Sequence, residues 1–268
     1  LYRRAAYALI AGSILLGLGK KDGLSLETLR TATARLLKRV DRMGAAKIKL
    51  HLADAVGTTD FKPKDAGRAI GEALGIANWR VDFFDGKAAN RSKPAAALTV
   101  SGDEAAITSG MKDGLAVADA VNEARRVAAT PPNICNPEWM AKESRRLARQ
   151  HGLKCTVISY AEAQRQGMGG IVNVGKASHS KPCLIMLEHK PQTTKRKAKL
   201  CLVGKTITYD TGGYSLKISG GMKGMKYDKN GGCAVLGAML AIAALDLPVH
   251  VVALLPAAEN MVSGEAYR

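Results

Sequence analysis

From Ala234 to Leu255 the chain is apolar almost without a break. Ala234 to Leu245 has the length of a helix with no polar face, and Val249 to Leu255 that of a strand with none. Such elements must be covered on both sides, which points to a mixed sheet sandwiched by helices. The rest of the second half agrees with this α/β reading. Asn136-Pro137-Glu138 has the cap, the first-position proline and the first-turn acid of a helix start, with a stop near Gln150 and Gly152. Strands are expected at Leu153 to Ile158, Cys183 to Leu187 and Leu200 to Val203.

The first half alternates strand and helix. Ile14 to Leu18 reads as a buried strand ending at Gly19, and Ser25 as the cap of a helix carrying Leu26, Leu29, Leu36, Leu37, Val40 and Met43 up to Gly44. Ile48, Leu50 and Leu52 alternate with Lys47, Lys49 and His51 as in a half-exposed strand. A helix from Lys64 to Ala77, a strand at Val81 to Phe84, a turn at Asp85-Gly86 and a strand at Ala96 to Val100 follow. A helical stretch then runs from Ser109 to Ala128 and stops at Thr130-Pro131-Pro132, because the residue before a proline avoids helical angles. The organisation expected is an N-terminal α/β domain over 1–108, a linker helix over 109–132, and a second α/β domain with a mixed central sheet over 133–268. The chain begins with Leu, so the true start is expected to be missing.

A 47% hydrophobic and 24% charged composition excludes wholesale disorder. The five cysteines, at 135, 155, 183, 201 and 233, form no CxxC pair, which argues against a disulfide framework or cysteine-rich zinc site and for a reducing compartment. Ala5 to Gly19 is uncharged, but its 15 residues fall short of the ~20 a membrane span needs. It imitates a signal peptide without a convincing cleavage site before Lys20-Lys21.

Several catalytic signatures are absent. The histidines at 51, 151, 179, 189 and 250 include no HExxH, and no GxSxG elbow occurs. Gly204-Lys205-Thr206 resembles the end of a P-loop, yet Lys199 stands where that loop needs its first glycine. Ser178 and Lys181 have SxxK spacing, but Pro182 does not suit the helix such a pair requires. What remains is a dense block with Lys205, Asp210-Thr211-Gly212-Gly213, Lys217, Gly220-Gly221 and Lys226-Tyr227-Asp228. The strand before it should bring Lys205 to the carboxyl end of the sheet, where open α/β sheets bind ligands. Paired glycines let backbone approach an ion, and carboxylates on neighbouring loops suit divalent cations, although isolated Lys and Asp residues are more often plain surface.

That block resembles the metal-site region of the leucyl aminopeptidase family, the cytosolic two-metal exopeptidases. The matching residues are Gly204-Lys205, Tyr209 to Gly213, Ser215-Leu216-Lys217, Met222, Met225 to Asp228 and Gly231-Gly232, supported by Thr130 to Asn133, Gly167-Met168-Gly169 and Glu259-Asn260-Met261. The resemblance implies two divalent metal ions, Mn or Zn. Lys205 would be an amine ligand to one, Asp210 a carboxylate shared by both, and Asp228 a carboxylate on the same ion as Lys205. Lys217 would be the catalytic lysine, and Met225 would line the pocket for the substrate's first side chain. A lysine ligates only as a neutral amine, so two cations and partial burial would have to strip the Lys205 proton, whereas a charged Lys217 would stabilise the oxyanion. The ions would activate a bridging water and anchor a free α-amine.

The resemblance further implies cytoplasmic peptide substrates with a free N-terminus and assembly into a homo-hexamer. The family supplies two more carboxylates and an arginine from an Asn-Thr-Asp-Ala-Glu-Gly-Arg segment downstream, which this chain does not contain. The 268 residues alone are therefore expected to bind metal weakly or not at all and not to turn over. Thr206 departs from the family's usual glycine, Tyr209 and Thr211 vary conservatively, and Lys229-Asn230 adds charge after Asp228. Two other readings exist. The 40 Lys and Arg against 23 Asp and Glu, a net +17, would favour nucleic acid through counterion release, but only 12 aromatics and no RNA- or DNA-binding motif accompany it. A non-catalytic scaffold of the same fold is opposed by the joint presence of Lys205, Asp210, Lys217 and Asp228. The basic stretch Lys190 to Lys199 reads as a solvated hairpin loop.

Overall fold

The computed structural model describes residues 7–10, 13–43, 47–51, 59–81, 97–101, 105–191 and 199–263. The chain divides into two compact units, Leu1–Asn122 and Glu123–Arg268, and the division falls inside one long helix, α3 (Ala105–Ala129).

In the first unit, β1 (Tyr7–Ile10) and β2 (Ser13–Leu16) form an antiparallel hairpin. The strand expected at Ile14 to Leu18 thus ends earlier, and Leu16 and Leu18 are only half-buried. Helix α1 (Leu26–Met43) starts where the Ser25 hydroxyl accepts the Thr28 N–H at 3.1 Å, and it buries Leu29, Leu36 and Val40. Strand β3 (Lys47–His51) pairs in parallel with β4 (Ala97–Ser101). Val81 is not in a strand, and the remainder of the strand and turn expected at 81–86 lies outside the described residues, as does Leu52.

Helix α2 (Pro63–Asn78) meets α3 backbone to backbone. A Cβ on Gly67 would lie 2.2 Å from the Ile107 carbonyl and one on Gly71 2.3 Å from that of Met111; reciprocally, Gly110 and Gly114 would strike the Lys64 and Arg68 carbonyls at 2.0 and 2.2 Å. Glycines four apart on both helices therefore interlock as one seam, beside a core of Leu29, Ala66, Ala69, Ile70 and Ile107.

The second unit opens with the last turns of α3 and with α4 (Pro137–Gln150), whose cap Asn136 accepts the Trp139 N–H at 2.9 Å. Strands β5 (Lys154–Ile158), β6 (Cys183–His189), β7 (Lys199–Val203), β8 (Thr206–Asp210) and β9 (His250–Asn260) form one sheet. β5 and β6 are antiparallel, β6 and β9 likewise, and β7 and β8 both run parallel to β9, so the sheet is mixed as expected. Two short helices, α5 (Tyr160–Arg165) and α6 (Gly169–Gly175), precede β6, and α7 (Asn230–Ala244) follows the glycine-rich block.

Two expectations are corrected here. β9 separates β6 from β7, so 190–199 joins strands that are not neighbours and is no hairpin; residues 192–198 lie outside the described set. The apolar helix and strand are each fully buried on one side only. On α7 the buried residues are Gly232, Cys233, Leu236, Gly237, Met239 and Leu240 while Ala234 is exposed, and along β9 Val251, Ala253, Leu255 and Ala257 alternate with half-buried residues. Helices α4 and α7 touch each other and both pack on β6 and β9, which closes that face.

Candidate active site

Strands β7 and β8 lie end to end along one edge of β9, because Val251 to Leu254 and Ala257 each pair with β6 on their other side. The break between them follows from Pro256. The Gly204 N–H donates to the Leu254 carbonyl at 3.0 Å, and a parallel ladder continued in this register would return the residue 256 N–H to the Gly204 carbonyl. Proline has no N–H to give. The Thr206 hydroxyl donates to that carbonyl instead, at 2.8 Å, and is completely buried in doing so. Thr206, the departure from family glycine, is thus a satisfied structural residue. β9 itself continues past Pro256, beyond the end expected at Leu255, because β6 pairs with it through Ala257 and β8 pairs with it from Ala257 to Asn260. Lys205 therefore does not stand past the carboxyl end of the sheet; it projects from the interruption, with its carbonyl held by the Gly232 N–H at 2.7 Å.

Asp210 ends β8, an element not read from the sequence, and follows a bulge at Thr208. Its Oδ1 accepts the Gly212 N–H at 2.9 Å and the Asn260 Nδ2–H at 2.7 Å, while Oδ2 pairs with Lys217 Nζ at 3.0 Å. Gly212 has φ +88°, and a Cβ there would meet the Ser215 carbonyl at 2.3 Å, so this turn requires glycine. The Lys217 N–H donates to the Thr211 carbonyl at 2.9 Å and closes the loop. Asn260, at the end of β9, also receives both the Thr211 N–H and hydroxyl on its carbonyl, at 3.0 and 2.9 Å. Burial alone would raise the Asp210 carboxyl, but the bonds from Lys217, Gly212 and Asn260 outweigh it and hold it below the usual carboxylate range.

β8 packs against a 3₁₀ turn, Met225–Tyr227, entered through Gly224 at φ +85°. Met225, expected to line a substrate pocket, is half-buried at its first position. Asp228 follows: its N–H donates to the Met225 carbonyl at 3.2 Å and its Oδ1 pairs with Lys205 Nζ at 3.0 Å. Its Oδ2 is buried with no hydrogen-bond partner among the described residues. The structure therefore joins the four candidate residues in two lysine–carboxylate pairs, Lys205 with Asp228 and Lys217 with Asp210. The partial burial expected of Lys205 is not found, since its side chain is 62% exposed.

The sequence reading gave no role to Thr206, Lys229 or the Asn260 side chain. Pro256 in an apolar run is a sequence signal of the break, whereas nothing local in the sequence marks Asn260 as the end of a strand. The donor set fits one side of a cation site. An anionic oxygen buried without a partner is what a cation would satisfy, and an amine with two carboxylates suits a borderline divalent ion. No group of three His, Cys, Asp or Glu that could hold a metal ion occurs among the described residues, so these residues would supply only part of a coordination shell.

Residues 122–268 match the family model described as the cytosol aminopeptidase family, catalytic domain. A protein of Aquifex aeolicus (strain VF5) named as a probable cytosol aminopeptidase is 38% identical over 255 residues, 95% of this chain and 50% of its own length. One of the same name from Nitrosococcus oceani is 36% identical over 94% of this chain and 51% of its own. The structure is similar to the bottromycin maturation enzyme BotP in complex with Mn, with a TM-score of 0.84 and 31% identity over 99% of this chain and 55% of that one. The chain spans about half the length of the curated relatives it matches.

Proposed function

The chain belongs to the cytosol aminopeptidase family, and on that premise we propose that the whole protein is a cytoplasmic metal-dependent aminopeptidase releasing N-terminal residues from peptides. The observation that carries the reading is the Asp228 oxygen buried without a partner among the described residues, beside Lys205 and next to the strand that ends in Asp210. Lys205, Asp210 and Asp228 would hold two divalent ions, Mn or Zn, with further carboxylates coming from residues outside this chain. The bound ions would supply an activated water and an anchor for the substrate's α-amine. The chain's own residues do the rest. Asn260 and the Gly212 N–H fix one oxygen of Asp210, so its other oxygen faces Lys217. Lys217 presents an ammonium to the oxyanion that forms on the scissile carbonyl. Met225 borders the place of the first side chain. As in the family it resembles, the protein would assemble as a homo-hexamer.

The test uses the whole protein and leucine anilide hydrolysis with Mn²⁺ or Zn²⁺. Asp210→Ala is expected to bring the rate to background, and a near-full rate from that variant would overturn the metal assignment.

A further inference from the structure

Lys229 is 0% exposed, the largest side chain so buried among the described residues, and it is none of the candidate ligands. Its Nζ donates to two main-chain carbonyls, Thr130 at 3.1 Å and Lys226. Burying an amine is costly unless it is hydrogen-bonded, and a methionine would fill the same volume without that cost. What lysine adds is two directed bonds. One closes the short loop 226–229 on itself, with Asp228 inside the loop. The other reaches across 99 residues to a fixed point. Thr130 is itself held on the last turn of α3, its N–H and hydroxyl both donating to the Arg126 carbonyl, at 3.1 and 2.8 Å. Lys229 also stands at the N-cap of α7, where its carbonyl accepts the Cys233 N–H at 3.0 Å.

We propose that Lys229 is a positioning residue for Asp228: its buried amine ties the 226–229 turn to Thr130 and so holds the Asp228 carboxylate where it faces Lys205. The proposal rests on the metal-site reading. It assigns Lys229 no contact with ion or substrate; it acts through the ligand beside it, as groups behind a metal ligand orient it.

The experiment measures Mn²⁺ affinity and thermal midpoint of the whole protein as wild type, Asp228→Asn, Lys229→Met and Leu240→Ala. Leu240 is equally buried on α7 and serves as the control for lost packing. Lys229→Met is expected to remain folded and to bind Mn²⁺ about ten- to a hundred-fold more weakly, the loss seen when a supporting partner of a ligand is removed. Leu240→Ala is expected to lower the midpoint with little change in affinity. A folded Lys229→Met binding Mn²⁺ within about two-fold of wild type overturns the proposal, as does a loss no greater than that of Leu240→Ala. If Lys229→Met does not fold, Lys229→Ala with added butylammonium must regain both folding and affinity, and failure of that rescue overturns it too. The two levels separate cleanly: equal affinity in wild type and Asp228→Asn sinks the metal reading itself, whereas loss in Asp228→Asn alone sinks only the tether.

Discussion

Glycine does opposite work in the two units. In α2 and α3, Gly67, Gly71, Gly110 and Gly114 are valuable because they have no side chain, and a Cβ on any of them would sit 2.0 to 2.3 Å from a carbonyl of the facing helix. Around the candidate site, Gly212 and Gly224 are valuable because they reach φ near +85°, which bends the loops that carry Lys217 and Asp228. The first use secures a seam inside the first unit, to which none of the candidate residues belongs. The second places charged groups and carries little of the core. Stability and chemistry should therefore respond to different substitutions.

The largest effects test that separation directly. Asp210→Ala should abolish turnover while leaving the protein folded, at a cost of about 1 to 3 kcal/mol for the donors it strands at Gly212, Asn260 and Lys217. Gly110→Ala should do the reverse, lowering stability by about 3 kcal/mol or more because two helix backbones must part, as in other overpacked interiors. Denaturant titration together with the kcat of the folded fraction reads both. If Gly110→Ala lowers kcat at unchanged stability, or Asp210→Ala unfolds the protein, the contrast is broken.

The seam and the site also differed in how far the sequence revealed them. Long elements with clear periods and caps were legible: α1 behind Ser25, α2, α4 behind Asn136 and the strands around β6 all follow from hydrophobic spacing. The Gly67/Gly71 and Gly110/Gly114 spacing is equally plain in the sequence, but nothing local says that those two helices face each other. At the site, Lys205, Asp210, Lys217 and Asp228 were named from a motif, whereas the way they are held was not. β8 was missed because TITYD is short and continues the edge that β7 begins, with no turn signal between them except a glycine. Asn260 and Lys229 act on partners 50 and 99 residues away, which no window of sequence can show.

Titration offers the next sharpest probe. Asp210 is held below the ordinary carboxylate range when folded, so the stability it contributes is present above the unfolded value and is lost as the pH falls through the lowered folded value. Lys217→Met removes the strongest bond opposing its burial and raises the folded value. The variant should be less stable than wild type near neutrality, with the gap closing as the pH falls through the lowered folded value, so that its acid unfolding begins at higher pH. Coincident acid limbs would show that the Lys217 to Asp210 contact is not populated in solution.

A smaller effect is expected at the strand break. Thr206→Val leaves the Gly204 carbonyl without its donor and should cost about 1 to 3 kcal/mol. A Cβ on Gly232 would lie 2.1 Å from the Thr206 hydroxyl oxygen. Gly232→Ala should be strongly destabilising with Thr206 in place and much less so in the Thr206→Gly background, and a double-mutant cycle measures that coupling. Additivity would mean that the helix start does not press on the break.

The smallest effect asks whether a stability determinant inside the second unit can also be silent in function. Asn136 caps α4 through a single bond to the Trp139 N–H, and a neighbouring free donor, the Glu138 N–H, is taken by the Ser180 hydroxyl at 3.2 Å rather than by the cap. Asn136→Ala should therefore cost about 1 kcal/mol and Asn136→Gly only a few tenths, because glycine keeps the extended cap geometry and admits water to the freed N–H. Neither should change Mn²⁺ affinity, since α4 packs on β6 and β9 and supplies none of the candidate ligands. A fall in affinity with Asn136→Ala would mean that the helix start transmits to Thr130 and on through Lys229, so that the line between scaffold and site runs through the second unit and not between the two.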